Sequence, residues 1–525
     1  MSVRFSTLRA GLGAVALALA LALVLAGCGG GVGGTVSTNT PAQAGPSAAD
    51  QQQVTVGATR AGVSPFIAFI DLNLSNPAQA PATVHWRIAP KPGTLSKSVD
   101  ARYAMAYLQR HGYADSGNGH LTIPVFGLYA NHLNGVDLEL QFGDGSVKRL
   151  NADVQTAAYV DPNGVYDRPR VVKQRAPGDA LGFDFFYMRS ALGFPVVVDS
   201  DGEVRWTVPG TTVSMSSLFQ KNAFVIGDDF TPDLHRLELD GTASSFPLQD
   251  PGIVKFHHSL DPGKQGLLAE LDAEVNGVAI RETILADIDP DTGTVFKQWD
   301  LGDSLSRLMR AGGDDPSRFV RPGVDWFHMN AVTYDPRDDT LIVSSRENFV
   351  VKIDYTSGDV VWILGDPTKY WHQFPSLAAR SLTLAAGGLY PIGQHSVSIR
   401  HDGSLLLFND GFASLNQPEG APIGENLAYS TVSTYVIDAS NRTAQETSRF
   451  DYGQTILSQI CSSAYEPATG ASVLASYSVA DAQTHARLVG LDDNRHVVFD
   501  FEYTTGGCGT SWSAKPIAFE ALAFQ

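Results

Sequence analysis

Three histidines, an asparagine and an arginine stand out in this chain by type and spacing. His258, His328 and His395 each open an apolar run: "FHHSLDPGKQGLLAEL" from Phe256, "FHMNAVTYDPRDDTLIVSSR" from Phe327 and "QHSVSIRHDGSLLLFND" from Gln394. Asn330 follows His328 by two positions, and Arg346 closes the same run 18 positions on. A guanidinium binds a tetrahedral oxyanion bidentately. Asparagine and imidazole donate further hydrogen bonds, and a neutral imidazole is a nucleophile near neutral pH. Three imidazoles also suit zinc. Against a metal stand the arginine, repelled by a divalent cation, and the carboxylate support that ligating histidines usually carry. The set therefore fits transfer of a sulfuryl or phosphoryl group, with charge stabilised on the equatorial oxygens and neither metal nor cofactor required. His257 competes with His258 for the inward position. Alternation along a strand puts the two on opposite faces, and the match of His258-Ser259 with His395-Ser396 favours His258. His235 and His401 read as structural residues beside turns.

Residues so far apart need a scaffold that returns to one axis. Six segments repeat an apolar strand, an aspartate near its end, a polar or glycine turn and a second strand, from "VVVDSDGEVRWTV" (196–208) to "VGLDDNRHVVFDFEY" (489–503). These are hairpin signatures, and their recurrence predicts an all-β six-bladed β-propeller over 166–525. Equivalent positions of successive blades then converge on the central channel. In a hairpin the end of the second strand returns beside the start of the first, which would bring Arg346 to His328. Residues 54–165 alternate apolar and polar positions in short runs separated by turns such as "GDG" and predict an N-terminal β-sandwich with its own core. One helix is expected there, around "DARYAMAYLQRHG" (100–112).

On "HMNAVTYDPRDDTLIVSSRENFVVKIDYTSGDVVWILGDP" (328–367), "GQHSVSIRHDGSLLLFND" (393–410) and "HLTIPVFGLYANHLNGVDLEL" (120–140), the chain resembles the bacterial arylsulfate sulfotransferases. The resemblance implies ping-pong transfer of a sulfuryl group from a phenolic sulfate ester to a phenol, without the nucleotide donor PAPS. His395 would be transiently sulfated. His328 would act as general acid and base or help bind the sulfuryl oxygens with His258, Asn330 and Arg346. A homodimer is also implied. The aromatics Tyr370, Trp371, Phe374 and Tyr390 are open to two readings, stacking on an aryl substrate or packing within their loop.

The ends of the chain speak to its address. Arg4 and Arg9 precede the apolar run 11–27, the form of a signal peptide, and Leu25-Ala26-Gly27-Cys28 has the form of a lipobox. Cleavage before Cys28 and lipidation of its thiol are expected. A flexible tether over 28–53 would follow, rich in Gly, Ser, Thr, Pro, Ala and Gln. The expected location is the periplasmic face of an outer membrane. Loss of residues 1–27 removes two arginines and no acid, moving the formal charge from −18 to −20. So acidic a body, with no basic run, carries no footprint for nucleic acid. Cys461 and Cys508 are the remaining cysteines, and an oxidising compartment favours their pairing. Two readings compete with the transferase. One is a non-catalytic lipid-anchored propeller scaffold in the outer membrane. The other is a quinoprotein-like dehydrogenase, suggested by turns such as Asp291-Thr292-Gly293 and Thr356-Ser357-Gly358.

Overall fold

The computed structural model describes residues 45–115 and 117–525. The expected signal segment, Cys28 and the tether up to residue 44 lie outside the described residues. Within the expected tether, residues 47–53 are part of the folded body. Ala48–Gln51 forms one helical turn closed by a capping box between Ser47 and Asp50, and the fully buried Gln52 side chain donates to the carbonyls of Asn76 and Gln79. A polar, small-residue composition does not preclude order where backbone groups find such partners.

Six four-stranded antiparallel units make the propeller. Their innermost strands are Ser513–Ile517 (blade 1), Ser216–Gln220 (blade 2), Ile253–Pro262 (blade 3), Met329–Asp335 (blade 4), His395–Ile399 (blade 5) and Ser463–Tyr465 (blade 6). Blade 1 is closed by both ends of the propeller: its C-terminal inner strand pairs with Phe185–Arg189. Arg170–Lys173 adds a fifth strand outside blade 6, and Thr383–Leu384 adds a parallel fifth strand outside blade 5. Radial repetition leaves only short, protected strand edges. The repeated aspartates cap the hairpin turns. Asp199, Asp240, Asp289, Asp354, Asp438 and Asp492 each accept a backbone N–H two to four residues ahead. That local bond is why aspartate recurs at this point of each hairpin.

The N-terminal region is a sandwich. Val54–Ala61, Ile67–Leu74, His120–Phe126 and Ala114–Asp115 form one sheet. Val147–Gln155, Leu133–Gln141, Thr83–Ile88, Asp100–Ala104 and the C-terminal Leu522–Phe524 form the other. The helix expected from residue 100 is half strand: Asp100–Ala104 pairs in the sheet and only Met105–Arg110 is helical. Nor is the sandwich core separate. Trp86, Ile123 and Leu138 belong to one apolar cluster with Phe185, Trp206 and Phe224 of blades 1 and 2. At this junction the buried Arg205 pairs with Asp199 at 3.0 Å and lies 3.6 Å from the Tyr129 ring. No helix among the described residues is long and apolar enough to cross a membrane.

Candidate active site

The inner strands of blades 3, 4 and 5 share a backbone irregularity where their histidines lie. Each ladder loses register there, between Phe256 and Leu260, Met329 and Ala331, and His395 and Ser398. His258, His328 and Ser396 hold φ of 47°, 52° and 56°, and Cys461 and Ser462 repeat this just before the inner strand of blade 6. Non-glycine residues in left-handed backbone are costly and cluster where side chains must be aimed. Here the irregularity corrects the alternation argument, because His257 and His258 both face one cavity. Their ring centroids are 4.1 Å apart.

That cavity, of about 260 Å³, is lined by the four histidines 257, 258, 328 and 395 with Asp325, Arg346 and Glu347. Leu415, Ile460, Trp512 and the Cys461–Cys508 disulfide form its apolar wall. Beneath His258 and His395 the channel narrows to about 10 Å³ between Asn330, Arg189, Tyr465 and Ser513. Lys515 pairs with Asp261 nearby.

Blade 4 supplies the cation. Arg346 N–H donates to the His328 carbonyl at 3.0 Å, so the hairpin closes as its spacing requires. Nη1 of Arg346 donates to Glu347 at 2.6 Å, while Nη2 is buried with no protein partner. Glu347 also accepts from the backbone N–H groups of Leu415 and Asn416, fixing the loop at the mouth. Asn330 donates to the Gln394 carbonyl at 2.8 Å and so ties blade 4 to the turn before His395.

The two histidines differ in protonation. His395 Nδ1 faces the Gly393 carbonyl at 3.1 Å and the Asp410 carboxylate. A carbonyl can only accept, so Nδ1 carries the hydrogen and Nε2 keeps a free lone pair. Gly393 needs to be glycine: its φ is 63°, and a Cβ there would come within 2.5 Å of the Phe412 carbonyl oxygen. Burial, then Arg346 and His328, push the His395 pKa well below the ordinary imidazole value. Burial raises that of Asp410, but the carbonyl contact and nearby Arg346 favour the carboxylate with the proton on histidine. His328 is the opposite case. Its Nδ1 lies 2.6 Å from Asp325 and 2.8 Å from Glu282. Burial works against its charge, but the two acids outweigh it and raise the pKa to about 10. His328 is therefore an imidazolium. Its Nε2 donates to Nε2 of His258 at 2.9 Å, and His258 is held neutral by burial and the surrounding positive charge.

A model of the arylsulfotransferase family matches residues 170–511, and a model of that family's Ig-like domain matches 55–157. The chain belongs to the arylsulfotransferase family. It is an enzyme that transfers sulfuryl groups. It is 25% identical over 499 residues to the arylsulfate sulfotransferase AssT of Escherichia coli O6:H1 (strain CFT073), covering 75% of this chain and 79% of the relative. It is also 25% identical over 489 residues to that of Lelliottia amnigena, covering 73% and 77%. Among solved structures, the Swd1 β-propeller domain of Myceliophteria thermophila matches with a TM-score of 0.34 at 11% identity, over 62% of this chain and 87% of that one.

In this arylsulfotransferase all five residues expected from the sequence lie at the channel: His258, His328, Arg346 and His395 line the cavity and Asn330 the constriction below. His235 and His401 pair with Asp228 and Glu466, away from it. Of the four loop aromatics, Tyr370, Trp371 and Phe374 are buried in the core beside blade 4 and Tyr390 packs beside blade 5, so packing is their role. The sequence reading did not assign Glu282, Asp325, Asp410 or Trp512. Asp410 was within reach of the argument that found Arg346, since it ends the hairpin that His395 begins. Asp325 stands three residues before His328. Glu282 carries no sequence signal. Two overlapping sets, His257–His258–Glu282 and Glu282–Asp325–His328, have spacing for a cation. The short imidazole–carboxylate contacts within them hold protons that a cation would have to displace.

Proposed function

We propose that this chain carries a sulfuryl group from an aryl sulfate ester to a phenol by a ping-pong route through His395, without PAPS. The observation that carries the reading is the meeting of His395, whose hydrogen sits on Nδ1, with an unpartnered Arg346 Nη2 in one small cavity. In the donor half-reaction Nε2 of His395 forms the N–S bond as the S–O(aryl) bond breaks. Arg346, the permanent cation, holds the sulfuryl oxygens. His328 gives its Nε2 proton, which rests against His258 Nε2 before the donor binds, to the departing phenolate. In the second half a phenol returns that proton as its oxygen takes the sulfuryl group, and His395 is restored. Asp410 keeps the His395 hydrogen on Nδ1 in both halves. Trp512, Leu415 and Ile460 offer the aryl ring an apolar wall, and Trp512 lies 5.1 Å from the His258 ring. A cavity of about 260 Å³, small among ligand sites, suits one aryl ester at a time, which favours ping-pong over a ternary complex. The test is to mix the mature protein with donor alone: a sulfuryl adduct on His395 and one equivalent of phenol support the reading, and turnover only with PAPS contradicts it.

The signal-like segment and lipobox lead us to propose export and lipidation at Cys28, with the folded body held at the periplasmic face of the outer membrane. Cys28→Ser should release the protein into the soluble fraction. A homodimer completes the proposal, to be checked by light scattering.

A further inference from the structure

Glu282 reaches the site from an unexpected place, the third strand of blade 3 (Val278–Ile288). One carboxylate touches two imidazoles: Oε1 lies 2.7 Å from His257 Nε2 and Oε2 2.8 Å from His328 Nδ1. Its backbone is bent to do so. Glu282 has a φ of 54°, the ladder to the neighbouring strand breaks register beside it, and its N–H donates to Asp272 Oδ1 at 2.9 Å. Asp272 in turn pairs with Lys255. A left-handed, buried glutamate inside a strand is a conformation retained for what its side chain does.

We infer that Glu282 is a positioning residue for sulfuryl transfer: it holds His328 with a hydrogen on both ring nitrogens and so keeps the leaving-group proton in place. The inference rests on the transfer route proposed above. The groups facing His328 are Glu282 from the third strand of blade 3, His257 and His258 from its inner strand, Asp325 from the loop before blade 4, Arg346 from blade 4 and His395 from blade 5. Three of these are imidazoles and one a guanidinium, so the imidazolium depends on the two acids. Asp325 makes the hydrogen bond to Nδ1, while Glu282 supplies the larger favourable charge and is itself held well below the usual carboxylate range by His328 and His257.

Glu282→Gln keeps the shape and removes the charge. A phenolate that is stable as an anion leaves without help, whereas an alkylphenolate needs the proton. In single-turnover reactions of the full mature chain with aryl sulfates of graded phenol acidity, E282Q should act nearly normally on nitrophenyl sulfate. It should lose about 100-fold on an alkylphenyl sulfate, the scale of general-acid catalysis. The alkaline limb of its pH profile should fall from near 10 toward the ordinary histidine range. Asp325→Asn should steepen the leaving-group dependence less. Glu282→Asp should restore part of the loss, and if E282Q does not fold, the graded series on E282D alone decides. Equal losses on all donors with an unmoved alkaline limb would reduce Glu282 to a structural role and overturn the inference. Absence of a His395 adduct in the unaltered protein would instead overturn the transfer route itself.

Discussion

Blades 4 and 5 present the same device to the channel with opposite results. Each begins its hairpin with a histidine at a break in the ladder, and each sets a carboxylate against Nδ1. Around His328 two acids face one imidazole, and it is a cation with a pKa near 10. Around His395 a single acid is offset by burial, Arg346 and His328, and the ring is neutral. On the proposed route one side-chain type serves as both proton donor and nucleophile, divided by neighbours rather than by backbone. Environments that push two pKa values apart mark the acid and the base of a site.

Changes that collapse this division should cost most. His395→Asn removes the proposed nucleophile, and transfer should fall by about 10⁴-fold or more, the scale for losing a covalent catalyst, with no adduct on donor alone. Asp410→Asn frees the ring to take the wrong tautomer and should lower kcat by about 10²–10⁴-fold at little cost to KM. Arg346→Ala removes the cation over the sulfuryl oxygens, with an expected loss of about 10²–10³-fold; Lys should restore it poorly, lacking the bidentate fork. The pH profile reads the division directly. His328 is charged below its pKa, so donor-only release of an alkylphenol should hold through neutrality and fail as pH rises through about 10. The acid limb should lie well below the ordinary histidine range, because His395 resists protonation. Smallest is Trp512→Ala. It leaves both histidines in place and should raise KM for aryl donors by about 3- to 10-fold, the worth of one aromatic contact.

The repeat of hairpins and the histidines at equivalent blade positions were legible because both are periodic, and a propeller turns sequence period into spatial convergence. Arg346 was legible through hairpin closure, and Asp410 obeys the same rule, ending the hairpin that His395 begins. What escaped depends on broken rules. The left-handed residues at 258, 328 and 396 defeat strand alternation, which had set His257 on the face opposite His258. Glu282 arrives through a third strand whose bend no local pattern announces. Trp512 reaches the wall only because the C-terminal segment returns to form the innermost strand of blade 1. Residues 47–53 looked like tether because their order comes from partners elsewhere in the chain, not from their own composition.

The division between the two histidines is tested most directly by peptide mapping of the protein after brief exposure to an aryl sulfate without acceptor. The expected result is a sulfuryl group on His395 alone, discharged on adding a phenol, and absent in His395→Asn. A stable adduct on His328 or His258, or full turnover with no adduct on His395, would contradict it.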